Sequence, residues 1–233
     1  MSGQPERAVW YSGGRIFTGD PDRPWAESLV VRGRHIDFVG TDAAAAEQAG
    51  GDATTVDLVG QTVLPGFVDG HGHVLMAGEA RLRAPLTDAP DLDEIQNRVS
   101  AWADANPDAP RVLGQGWLFS SVPDGRPTKD MLDEIVPDRP VYLDANDYHS
   151  VWLNSAALAE LGITRDTPDP VGGRIVRQPV TGEPTGHLEE TAAQNLAWAF
   201  LAAAGTDADR DRALAAATRA YLSSGVTCVV DMA

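Results

Sequence analysis

An apolar run from Thr62 to Val68 that ends in Asp69-Gly70-His71-Gly72-His73 restricts this chain more than any other segment. Apart from Pro65-Gly66 it is apolar on both faces, which predicts a strand buried on both sides, as in a parallel sheet, opening onto a polar rim. Side chains alternate along a strand, so His71 and His73 are expected on one face, about 7 Å apart along the backbone, where two imidazoles can hold one metal ion. Asp69 has the same parity one step deeper, where a carboxylate either orients a ligand histidine or caps the turn. A His-Gly-His triplet also occurs in ordinary turns. Its position distinguishes this one, because barrel enzymes carry their catalytic groups at the C-terminal ends of their strands.

Before this run, short apolar stretches are cut by Gly, Pro and Asp. Residues 8–11, 15–18, 28–31, 35–39 and 54–58 each suit a short strand, and the Ala-rich stretch Thr41 to Gly50 suits one helix among them. After it, Leu92, Ile95, Val99 and Trp102 recur at helical spacing behind Asp91, a residue suited to capping. Strands are then expected at 111–113 and 141–145, and helices at 128–135 and 154–161, the second closed by Gly162. A hairpin is expected around Thr181-Gly182-Glu183. Helices over Leu188 to Ala204 and Asp207 to Ser223 then lead to Gly225 to Asp231, a second strand of the buried type.

Composition narrows the function. The 43% hydrophobic fraction of 233 residues supports a sizeable core. A net charge of -16, from 34 acidic against 18 basic residues without a basic patch, argues against a nucleic-acid partner. Met1 to Tyr11 lacks the pattern of a signal peptide, and no stretch of about 18 apolar residues implies a membrane span. The single cysteine, Cys228, excludes an intrachain disulfide framework and fits a reducing compartment, so a soluble cytoplasmic protein is expected. There is no Gly-rich phosphate loop and no Gly-x-Ser-x-Gly elbow.

The run Gly60 to His73 resembles the first barrel strand of the amidohydrolase superfamily, preceded by that superfamily's β-sandwich. Asp147-Tyr148-His149-Ser150-Val151-Trp152-Leu153-Asn154-Ser155-Ala156-Ala157-Leu158 and Gly182-Glu183-Pro184-Thr185-Gly186-His187-Leu188-Glu189-Glu190 resemble its YtcJ-like branch, amidohydrolase family 3. The resemblance spans essentially the whole chain. It implies a (β/α)8 barrel in which His71 and His73 bind one or two divalent metals, zinc by default with manganese, iron or nickel compatible. A metal-activated water would then attack a small amide-like substrate. Members normally add a bridging carbamylated lysine or acid, two later histidines and a late aspartate. Lys129, the only lysine, is expected at a helix start on the surface and is not assigned the bridging role.

Other candidates carry two readings each. His149, at the end of an apolar strand, either holds substrate or caps a helix. His187, Glu189 and Glu190 are expected at a helix start, where carboxylates suit the dipole; the resemblance makes Glu189 or Glu190 a catalytic candidate, as a substrate contact or metal-proximal acid, and His187 is a candidate substrate contact. Asp231 either joins the catalytic rim or caps a loop. Trp117, in a Gly-rich stretch, either lies over a substrate pocket or anchors a buried loop. His35 is expected on a strand surface.

The expected fold is therefore α/β: a β-sandwich segment over residues 1–62, a first barrel strand over 63–78, an α/β insertion over 79–190, and helices with a second barrel strand over 191–233. A barrel needs about eight strands to close. With two, the barrel is incomplete, and the chain is expected to self-associate or to need a missing C-terminal portion, without activity alone. The rivals are a non-catalytic ligand- or partner-binding module with vestigial histidines, and a cyclic-amide hydrolase branch, against which the long insertion argues.

Overall fold

A computed structural model describes residues 7–232, so Ala233 and the part of the signal-peptide reading that falls on residues 1–6 lie outside the described residues. The chain divides into two compact units: residues up to Asp69 with Gly225–Cys228, and Gly70–Ser224 with the residues from Val229 onward.

The first unit carries two small sheets. In one, β1 (Ala8–Ser12) lies antiparallel to β4 (Ser28–Arg32) and parallel to β6 (Thr54–Asp57), while β5 (His35–Gly40) forms the edge beside β4. In the other, β2 (Arg15–Phe17) sits between β3 (Trp25–Ala26) and β7 (Thr62–Val63). Helix α1 (Asp42–Ala49) begins where the Thr41 side chain accepts from the amide of Ala44. Ala45 and Ala49, four residues apart on one helix face, pack on buried Ala8 and Val30. His35 is exposed, as expected for a strand surface.

The second unit is built on a six-stranded sheet in the order β13-β14-β12-β11-β10-β9. β9 (Ala84–Pro85), β10 (Val112–Trp117) and β11 (Val141–Ala145) run parallel; β12 (Ser150–Leu153), β14 (Pro184–Glu190) and β13 (Gly173–Arg177) continue antiparallel. Val141, Leu143 and Ala145 face a core shared with α3 (Leu92–Ala105) and α4 (Lys129–Asp133). Tyr142, between them, faces a second core with α5 (Ser155–Glu160) and the π-helical turn Ala193–Trp198. Every residue of β11 is buried for this reason: the strand has a packed layer on each side. The segment continues into α6 (Ala199–Ala204) and α7 (Asp207–Ser223), the latter opened by a capping box between Thr206 and Asp209. Helix α2 (Val74–Leu82), which the periodicity does not mark, packs along α7. A Cβ at Gly78 would lie 2.0 Å from the carbonyl oxygen of Ala213, so only glycine permits this approach.

Three expectations are corrected. The predicted strand over 62–68 is two strands broken at Leu64-Pro65-Gly66, and the second, β8 (Phe67–Gly72), is mostly exposed, with Phe67 at 53% and Val68 at 66%. Its hydrogen-bonded neighbour β15 (Val226–Asp231), also expected to be buried, is largely exposed. These two strands form a two-stranded sheet with no further strand beside it among the described residues, so their apolar side chains have no layer to enter. Finally, His187, Glu189 and Glu190 lie on strand β14 and not at a helix start; pairing with both β12 and β13 overrides the helical preference of Leu-Glu-Glu. No helix among the described residues is long and apolar enough to cross a membrane.

Candidate metal centre

β8 delivers His71, and the chain turns directly into α2 with His73 as its N-cap residue. The strand parity argument thus applies to His71, whereas the turn into the helix sets His73. The two rings stand edge to face with centroids 5.5 Å apart and planes at 81°. Two imidazoles each bound to one ion at about 2.0–2.1 Å, with a tetrahedral angle between them, would have centroids roughly 5 Å apart, so the pair fits a shared cation. Both rings are exposed, which leaves room for further donors. Among the described residues, no group of three or more His, Cys, Asp or Glu side chains gathers as a metal site.

Asp231, at the end of β15, meets the same turn. Its Oδ1 accepts from the amide of Val74, the first residue of α2, at 3.4 Å. The contact is with the first turn of the helix that carries His73 and not with the loop after Asp231, where the cap was expected.

A second cluster lies at the ends of β11, β12 and β14. His149 Nδ1–H donates to Glu190 Oε2 at 3.0 Å, and the Glu190 amide donates to the His149 carbonyl at 2.7 Å. Asp147 Oδ1 accepts from the His149 amide at 2.9 Å. Among the described residues, two of the three non-glycine residues with positive φ lie here: Tyr148 at 58°, next to His149, and Glu190 itself at 53°. Backbone in this region is costly for a side-chain-bearing residue and persists where the surroundings impose it. The hydrogen bond and charge of Glu190 raise the His149 pKa. His149 caps no helix: the N-cap of α5 is Asn154.

His187 is buried, its Nε2 3.2 Å from Ser150 Oγ, and burial lowers its pKa against the opposing charge of Glu189. Ser150, His187 and Glu189 look in outline like a nucleophilic triad. However, Ser150 is buried, Glu189 Oε1 is 3.8 Å from His187 Nδ1, and both Glu189 oxygens accept from Arg174 at 2.9 and 2.8 Å. No activated nucleophile is built there. Trp117 is fully buried, donates its indole N–H to the Leu143 carbonyl at 2.9 Å and packs on Trp152, Phe119 and His187. These contacts make it an anchor of the core. Lys129 opens α4, where its ammonium meets Asp130 at 2.8 Å, without any link to the histidine pair.

Sequence reasoning passed over Asp144. It is buried at the end of β11, where Arg83 Nη1 donates to Oδ2 and Trp198 Nε1 donates to Oδ1 at 2.6 Å. Burial raises its pKa, and Arg83 and Trp198 oppose that. An acidic residue inside an apolar strand, Val141-Tyr142-Leu143-Asp144-Ala145, was the available signal. Two cavities, of about 260 and about 300 Å³, lie elsewhere, one beside Phe17, Trp25 and Leu64 and the other beside Lys129 and Thr185.

The Amidohydrolase family model matches residues 54–233. The chain is 35% identical over 225 residues to the N-substituted formamide deformylase of Arthrobacter pascens, covering 93% of this chain and 41% of that protein. It is 36% identical over 189 residues to YtcJ of Bacillus subtilis, covering 80% and 35%. Its fold is similar to that of an uncharacterized metal-dependent hydrolase from Pyrococcus furiosus, with a TM-score of 0.74 at 24% identity, over 97% of this chain and 44% of the other. The chain thus spans about two-fifths of the length of the curated relatives it matches.

Proposed function

This chain belongs to the amidohydrolase family, in its YtcJ-like branch, and on that premise we propose that His71 and His73 supply two ligands to the divalent cation of a hydrolase that cleaves a non-peptide C–N bond. The observation that carries the reading is the approach of the two rings, 5.5 Å between centroids at the junction of β8 and α2. A divalent cation held there would supply Lewis acidity toward a carbonyl and would lower the pKa of water toward neutrality. Zinc is the default, and manganese, iron or nickel suit the same donors. Similarity to a formamide deformylase supports a small amide-like substrate.

The chain's own residues divide the remaining work. Asp231 holds the first turn of α2 and so keeps His73 at the strand end. Asp69 precedes His71 on β8, where a carboxylate can orient a ligand imidazole. Glu190 holds the Nδ1–H of His149, which presents Nε2 outward to donate to or accept from a substrate, the role we assign to this exposed pair. Glu189, bound by Arg174, keeps β13 on β14. The two imidazoles are two donors, and a tetrahedral cation needs further ones beside them.

Zinc content after dialysis tests the ligand assignment. The parent is expected to retain more zinc than His71→Ala or His73→Ala, and equal content in all three proteins would remove it. The gathering of only two donors among the described residues favours a second reading, a non-catalytic binding module with vestigial histidines, which equal zinc content would support.

A further inference from the structure

We infer that Asp144, acting through Arg83, is a positioning residue for the metal-ligand pair: it fixes the far end of the helix whose N-cap is His73. The inference rests on reading His71 and His73 as ligands. Asp144 is the one buried carboxylate among the described residues, and both its oxygens are used, one by Arg83 and one by Trp198. A buried carboxylate is costly unless charged and hydrogen-bonding partners surround it, so such a group specifies geometry closely. Arg83 is the C-cap of α2, with its guanidinium also 3.5 Å from Glu79 one turn back on the same helix. Trp198 closes the π-helical turn, a rare conformation that recurs at functional positions.

Helix α2 has nine residues and so is a rod of roughly 13 Å. It is held at three places. Asp231 meets its first amide, Gly78 seats its middle against Ala213, and Arg83 ties its end to Asp144 while Trp102 Nε1 donates to the Leu82 carbonyl at 3.0 Å. Without the Asp144 carboxylate to hold Arg83, that end is held by the Trp102 bond alone of the two, and the rod pivots more readily on the Gly78 seat. That motion carries His73, at the opposite end, away from the ring of His71, which is set by β8.

The test compares the 233-residue parent with Asp144→Ala, Asp144→Asn and Arg83→Met, with Ile175→Ala as a control that opens the core on the edge strand β13. Two quantities are read: amide hydrogen exchange over Val74 to Glu79, and cobalt(II) affinity by absorbance titration, with the His71→Ala/His73→Ala double variant as baseline. Asp144→Ala and Arg83→Met are expected to speed α2 exchange and weaken cobalt binding about ten-fold. Asp144→Asn, which keeps an acceptor for Trp198, is expected to lie between, and to report the effect even where the alanine variant does not fold. Ile175→Ala is expected to lower the unfolding midpoint while changing neither quantity. Parent affinity above baseline with Asp144→Asn and Arg83→Met unchanged, or an equal loss in Ile175→Ala, overturns the positioning role alone. Parent affinity no better than baseline overturns the ligand reading and this inference with it.

Discussion

The imidazole of His149 is held through Nδ1–H by the carboxylate of Glu190 at 3.0 Å, and the same two residues are joined again through their backbones. Glu190 itself and Tyr148, the neighbour of His149, are both in the left-handed region, so local conformational energy is given up where an exposed acid and base come together.

Because Glu190 raises the pKa of His149, the imidazolium is favoured in the folded chain. The folded pKa lies above the unfolded value near 6.5, so the stabilisation is complete below 6.5 and is lost as pH rises through the folded pKa. NMR titration of the His149 ring should give a midpoint above 6.5 in the parent and a lower one in Glu190→Gln. Identical midpoints would show that the pair does not exist in solution.

His187 should behave in the opposite sense. Burial depresses its pKa, so as pH falls below 6.5 the unfolded chain takes up a proton that the folded chain refuses, and stability falls with pH over that window. The urea midpoint of the parent is expected to exceed that of His187→Asn at pH 7, with the gap narrowing toward pH 5. A gap that widens on acidification would contradict the buried, neutral imidazole.

Asn154 is fully buried with all its hydrogen-bonding capacity in use. Its Oδ1 accepts from the amides of Val141 at 3.0 Å and Ala157 at 2.9 Å, and its Nδ2 donates to the carbonyls of Val136 at 2.8 Å and Arg139 at 2.9 Å. Loss of a helix cap alone costs about 1 kcal/mol. Asn154→Ala also strands buried backbone groups at about 1–3 kcal/mol each, so denaturant unfolding should show a loss of roughly 3 kcal/mol or more. A loss near 1 kcal/mol would mean that Asn154 is only a cap.

Gly78→Ala sets two effects against each other. Alanine in a helix interior gains about 1 kcal/mol over glycine, but the added carbon meets the Ala213 carbonyl at 2.0 Å, and overpacking of this kind costs about 1–3 kcal/mol. Because a backbone carbonyl cannot swing aside like a side chain, net destabilisation is expected. Unchanged or raised stability in urea would place α7 farther from α2.

Trp117→Ala should cost about 3–5 kcal/mol, the range for emptying a buried aromatic site. A surface-like loss below about 1 kcal/mol would restore the pocket-lid alternative for this residue.

Local pattern was enough for five strands of the first unit, though not for β3, and for α3 behind Asp91, α5 behind Asn154 and the hairpin at Thr181-Gly182-Glu183, because spacing, caps and turn residues act between neighbours in the chain. It also marked His71 and His73 as a pair, since two residues one apart cannot stray far from each other. Tertiary packing decided the rest. β14 became a strand because β12 and β13 offered backbone partners, Trp117 went inward because α3 and α4 cover that face of the sheet, and β8 stayed exposed because, among the described residues, β15 alone lies beside it. Asp144 meets Arg83 across sixty-one positions and Trp198 across fifty-four, and nothing in the spacing of residues along a chain specifies partners that only the folded backbone brings within reach.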